Sequence, residues 1–244
     1  MAFIAVNSGN SPAKVSQYVR KHRIPWPVIA DTDRSLEQAC EVGDISLNNI
    51  WQARVIDPTG ALIRANGSQM EETAARAARD AKWNVDPTTI PSELQAAWQQ
   101  IEFGSYAPAA STLKRYRKSR KEAVQTAANT LTDYVMEQLE TQLTAAATAD
   151  DAGDFWTAWQ TLSAAQERFD GYEVPESVAT DLARLAKHEQ VVTELAAQRK
   201  FDLAVRAARL AAGRKRAETM LQKLIEEFPG TAAAARASEL LTPR

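Results

Sequence analysis

Cysteine is nearly absent. One residue of this type, Cys40, occurs in 244, which excludes an intramolecular disulfide framework and any Cys-x-x-Cys dithiol within these residues. Histidine is almost as scarce. His22 and His188 stand apart from each other and from any Cys or carboxylate at ligand spacing, which argues against a metal site. No apolar run approaches the ~18 residues that a membrane-crossing helix requires. The formal net charge is only −2, so there is no general attraction for nucleic acid or an anionic membrane, and such a role needs a local patch. Gly-x-Gly-x-x-Gly, the phosphate-binding loop and the Gly-x-Ser-x-Gly elbow are all missing. Asp150, Asp151 and Asp154 lack the glycine and glutamate spacing of a calcium loop. No cofactor is expected. The opening MAFIAVNSG has no basic segment and no cleavage site, so it does not read as a signal peptide.

The composition, 45% hydrophobic and 25% charged, is that of a folded soluble chain, long enough for one large or two ordinary domains. The clearest β structure is WQARVIDPTGALIRA, Trp51 to Ala65. There Pro58 is pre-set for a turn and Gly60 can take φ > 0 between two Val/Ile/Leu-rich runs, which predicts a hairpin. Ahead of it, Phe3 to Val6 reads as a buried strand. Ser11 and Pro12 open a helix whose last turn carries Arg20, Lys21 and His22. The segment from Ile24 to Asp31 holds two prolines and reads as an edge strand or approach loop. Asp33 is placed to cap a short helix in which Leu36, Ala39 and Cys40 share a face, with Cys40 a small packed residue rather than a nucleophile, and Gly43 its stop. Asp31 also reads as a capping residue in preference to a metal ligand. A further helix is expected from Met70 to Trp83.

In this order the stretches FIAVNSGNSPAKVSQYVRKHRIPWPVIADTD and VIDPTGAL resemble the thioredoxin-like redoxins, including the TlpA-type thiol–disulfide oxidoreductases and the peroxiredoxin-like members. The resemblance covers roughly residues 2 to 83. It implies a partial α/β thioredoxin-like fold over residues 1–84 that lacks the family's first strands and active-site helix. It also implies that the dithiol or peroxidatic cysteine would lie ahead of Phe3, and that the cis-proline facing it would fall near Trp51, where no proline stands. As written, the chain is expected to be non-catalytic. The alternative is a longer, active thiol–disulfide oxidoreductase whose active site lies upstream of Met1. Localisation stays open, since many relatives of this type act outside the cytoplasm and a targeting segment would then also precede Met1.

Residues 85–91, within NVDPTTIP, read as a linker. From 92 to 244 the chain is alanine-rich and helical. Gly104-Ser105-Tyr106 with Ala109 and Leu113 is echoed by Gly153-Asp154-Phe155 with Ala158 and Leu162. A weaker echo follows in Arg199-Lys200-Phe201 with Ala204, at offsets of 49 and then 46 residues. Phe228-Pro229-Gly230-Thr231 marks another turn, with Ala234 and Ala237 as small contacts. These units resemble tetratricopeptide-like helical hairpins, although their period exceeds the usual ~34 residues; a plain helical bundle is the alternative. Trp156 and Trp159 are expected in its core.

One stretch stands out for binding. Lys114, Arg115, Tyr116, Arg117, Lys118, Arg120 and Lys121 place six cations in eight positions around an aromatic ring. Such a patch can grip an acidic partner or a phosphate backbone, or be the solvated end of a helix. Arg206, Arg209, Arg214, Lys215 and Arg216 extend it if the repeats stack. The near-neutral net charge disfavours nucleic acid, so the expected partner is a protein bound through the helical domain.

Overall fold

The computed structural model describes residues 3–32, 34–43, 52–65, 67–79, 81–208 and 213–242. The chain divides into two compact units, Met1–Lys82 and Trp83–Arg244. The first is mixed α/β and the second is all helical.

The first unit runs β1 (Ala5–Ser8), α1 (Pro12–His22), β2 (Val28–Asp31), α2 (Ser35–Ala39), β3 (Ala53–Ile56), β4 (Leu62–Ala65) and α3 (Met70–Ala77). β1 and β2 pair in parallel, Ala5 opposite Val28 and Ser8 opposite Asp31, and β3 and β4 form a separate antiparallel hairpin. Local chemistry explains these boundaries. Ser11 caps α1, accepting from the Lys14 amide, and Pro12 takes the first turn, where its missing N–H costs nothing. In the hairpin turn Gly60 sits at φ +86°. Asp57 braces the turn from its first position, its Oδ1 accepting from the Thr59 and Ala61 amides and from the Thr59 hydroxyl. Those donors hold the Asp57 carboxyl below the usual carboxylate range.

Two expectations for this unit are corrected. The first strand is not the buried run Phe3–Val6: it begins two residues later, and Phe3, Ile4 and Val6 are 55%, 50% and 46% exposed. The physical reason is that, among the described residues, β1 pairs with β2 alone and helices α1 and α2 pack on β2, which leaves these side chains little to be buried against. α3 stops at Ala77 instead of reaching Trp83. Trp83 belongs to the second unit, its ring 4.8 Å from that of Trp98 in a T-shaped contact.

The second unit contains α4 (Gln95–Glu102), α5 (Ala107–Tyr116), α6 (Glu122–Asp151), α7 (Phe155–Arg168), α8 (Glu176–Leu185), α9 (Glu189–Ala208), α10 (Arg214–Glu227) and α11 (Ala232–Leu241). Three cores follow one another along it. Leu94, Ile101, Leu113, Leu131, Val135 and Phe169 build the first. Ala146, Ala158, Leu162, Val178 and Leu185 build the second, and Phe201, Leu224, Ala234 and Ala237 the third. Helices α4/α5, α6/α7 and α10/α11 are hairpins, and the turn of each holds a glycine with left-handed φ: Gly104 at +72°, Gly153 at +77° and Gly230 at +82°. Ala109 and Ala158 are fully buried at the close contacts expected of them.

The third echo, Arg199-Lys200-Phe201, makes no turn and lies inside the continuous helix α9. It has Arg199 where the other two have glycine, so nothing there favours the left-handed cap, and arginine and lysine are good helix formers. Phe201 and Ala204 are nevertheless buried, so the packing part of the echo holds. Residues 85–91, read as a linker, are built into the helical unit. Val85 and Ile90 are buried in the first core, and the Trp98 indole N–H donates to the Val85 carbonyl at 3.0 Å. The Glu102 carboxylate accepts from the Asn84 and Val85 amides at 3.0 and 2.8 Å.

A candidate interaction surface in the helical unit

The six cations occupy the last turn of α5 and its connection to α6, and the connection is pinned at several points. The Ser119 amide donates to the Tyr116 carbonyl at 2.9 Å, and the Lys121 amide donates to the Ser119 hydroxyl at 3.1 Å. From α6, Gln125 donates to the Arg117 carbonyl at 3.0 Å, while Arg117 Nε reaches Asn129 Oδ1 at 3.2 Å. Tyr116 packs against the first core, and the Arg115 guanidinium lies 4.5 Å from its ring centroid. The aromatic residue therefore anchors the stretch and is not presented to solvent as a stacking platform.

Lys114, Arg115, Arg117, Lys118, Arg120 and Lys121 are all exposed. Only Lys121 has a carboxylate partner among the described residues, with its Nζ 2.8 Å from Glu93 Oε1. That hydrogen bond lowers the Glu93 carboxyl and raises the Lys121 ammonium relative to their ordinary values. Lys114, Lys118 and Arg120 make no side-chain hydrogen bond or ion pair with a described residue. The arrangement is a fixed loop that projects uncompensated positive charge. Arg206 lies on α9 and Arg214, Lys215 and Arg216 open α10, whereas Arg209 falls outside the described residues.

No family model matches the chain. No curated protein and no solved structure matches it either.

The other residues singled out from the sequence take structural places. Trp51, near which the redoxin resemblance would put a cis-proline, lies outside the described residues, as does Asp33. Asp31, at the end of β2, takes the capping role read for it from the sequence. The buried Asp31 carboxylate accepts from the Leu36 and Glu37 amides at 3.2 and 2.8 Å, and from the Ser8 and Ser35 hydroxyls. Beside it, Arg34 grips the buried Glu37 through two bonds of 2.6 and 3.0 Å and lowers that carboxyl's pKa. Cys40 is half-buried just after α2, and its carbonyl accepts from Arg54 Nε at 2.8 Å. His22 leans on Tyr18, and His188 stacks 3.8 Å from the centroid of Phe155. Among the described residues no group of three or more His, Cys, Asp or Glu side chains could hold a metal ion, and no helix is long and apolar enough to cross a membrane. Trp156 and Trp159 stack in parallel at 5.5 Å beside the second core.

Sequence reasoning weighed Asp150, Asp151 and Asp154 only as a calcium loop and missed what the acidic end of α6 pairs with. Asp150 and Asp181 share the Arg184 guanidinium, and Asp154 caps α7 by accepting from the Thr157 amide. The signal available was the pairing of a low-volume run, TAAATA at 144–149, with the carboxylates that follow it.

Proposed function

We propose that this chain is a non-catalytic interaction protein, in which a redoxin-type thioredoxin-like unit is joined to a helical unit that docks an acidic protein partner on the α5–α6 connection. The observation that carries the reading is the set of six exposed cations on a connection fixed from both sides, of which only Lys121 is ion-paired among the described residues. A pinned loop loses little conformational freedom on binding. Charge that meets no internal partner favours complementary encounter.

The test is a fluorescence titration with a labelled octaglutamate peptide. Binding to the wild-type chain is expected to weaken by roughly tenfold or more as salt rises from about 20 to about 500 mM, because screening shortens the reach of exposed charges. Lys118→Glu/Arg120→Glu is expected to abolish it. Equal binding by that variant, or binding indifferent to salt, refutes the reading.

A second reading is favoured by the first unit: a longer product that is an active thiol–disulfide oxidoreductase. Amides of Ala5 and Gly9 donate toward β2, so those of Val6 and Ser8 face an edge with no strand beside it among the described residues, and Val6 and Ile29 are 46% and 40% exposed. These features support a sheet meant to receive further strands. Intact mass and N-terminal sequencing of the protein from its native source decide it. A preceding segment with Cys-x-x-Cys supports the redox reading, and its absence sinks it.

A further inference from the structure

At the far end of α6 from the basic connection, a crevice of about 220 Å³ opens between α6, α7 and α8. Leu143, Ala146, Leu162 and Val178 give it an apolar floor, and the carboxylates of Asp150 and Asp181 stand among its lining residues. It is smaller than the ~300 Å³ at which drug-sized ligand pockets begin. A space of this size with apolar walls and an anionic rim matches the chemistry of a long cationic side chain, whose methylene stem seeks apolar cover while its charged tip stays at the edge. Arg184, reaching across from α8, donates to both Asp150 and Asp181 and offsets part of the rim's charge. One guanidinium serves two carboxylates there, and Asp151 beside them is exposed with no partner among the described residues.

The charges at the two ends of α6 oppose its dipole. Cations crowd the N-terminus, which carries the positive end of the macrodipole, and carboxylates close the C-terminus, which carries the negative end. Thirty residues of helix separate the ends by about 45 Å. That is several Debye lengths at ordinary ionic strength, so the two ends do not neutralise each other within one molecule. A second copy can bring opposite ends together, since Lys114, Lys118 and Arg120 are exposed and unpartnered among the described residues.

We propose that the crevice between α6, α7 and α8 seats a lysine or arginine side chain from residues 114–121 of a second copy of this chain, joining copies head to tail. The inference rests on the α5–α6 connection being a docking surface, and it names the partner. The contact is heterologous, so each copy keeps a free donor end and a free acceptor end and association continues with concentration.

Sedimentation velocity tests it on the full chain. The wild type is expected to show a weight-average sedimentation coefficient that rises with concentration at about 20 mM salt and returns to the monomer value at about 500 mM. Lys118→Glu/Arg120→Glu removes the donor and Asp181→Lys removes the acceptor, and each is expected to be monomeric, with circular dichroism verifying its fold. Mixing the two variants is the decisive step, because one retains the crevice and the other the cations: they should form dimers that grow no further. A wild type that stays monomeric at low salt overturns the proposal, as does association that survives either substitution. If such a monomer still binds octaglutamate with salt dependence, self-association fails while the acidic-partner reading stands. If it binds neither, both fail.

Discussion

Gly171 lies between α7 and α8 at φ +87°, and a Cβ built there would come within 2.8 Å of the Ala110 Cβ on α5. Gly153 has nearly the same backbone, φ +77°, but a Cβ there meets nothing within 4 Å. The pair separates two costs that are usually confounded. Gly153→Ala should cost only the left-handed conformation, about 1–2 kcal/mol. Gly171→Ala should cost that and, in addition, the overpacking of a contact with the nearly fully buried Ala110, a further 1–3 kcal/mol or so. The assay is urea unfolding followed by circular dichroism at 222 nm, where the helical unit dominates the signal. A third variant, Gly171→Ala with Ala110→Gly, removes the clash and leaves the backbone strain, at an added cost of about 1 kcal/mol for glycine in a helix. Its loss should be less than the sum of its two single substitutions. Equal destabilisation by Gly153→Ala and Gly171→Ala would refute the argument that α5 and the α7–α8 turn are in hard contact.

Glu194, buried on α9, accepts from the Ala232 amide with both oxygens, at 2.9 and 3.2 Å, and so caps a helix 38 residues away. Glu194→Ala should cost about 1–2 kcal/mol and speed hydrogen exchange in the first turn of α11, and unchanged exchange there would count against the cap. Tyr172, whose hydroxyl donates to the Tyr106 carbonyl at 3.2 Å, has its pKa pushed up to about 12, mainly by burial and secondarily by Tyr106. A raised folded pKa means that the unfolded chain loses this proton first. The stabilisation is therefore complete below about pH 10 and is lost as pH climbs through about 12. Allowing for the partial exposure of the ring, the loss should be on the order of 1–2 kcal/mol. It should be read as the difference between the wild type and Tyr172→Phe in urea midpoint across pH 9 to about 11.5; parallel curves would contradict it.

The parts of the fold legible in the sequence are those where one or two residues decide the backbone. Ser11 and Pro12 start α1, and Gly104, Gly153 and Gly230 end helices because each supplies a left-handed residue where the chain must reverse. The same logic explains the failure at Arg199, where an aromatic anchor and a small residue repeat but the glycine does not. Residues 85–91 depart from the linker pattern for a different reason. Two prolines and a run of polar residues signal a linker, but the Trp98 indole and the Glu102 carboxylate satisfy backbone groups at its start, and no local pattern announces partners 13 to 18 positions away. The basic connection was visible as a run of charge, whereas the crevice was not, since its floor and rim come from three helices.

Helix α6 belongs to two cores at once: Leu131, Val135 and Leu139 pack in the first, Ala146 in the second, and Leu143 touches both. A rod shared in this way acts as a splint. Neither core can open fully without fraying a stretch that the other holds in place, so the two should gain and lose protection against exchange as one cooperative block. The third core, formed by α9, α10 and α11, shares no core side chain with the other two among the described residues and meets them through the packing of α9 on α7, so its amides should exchange with less dependence on that block.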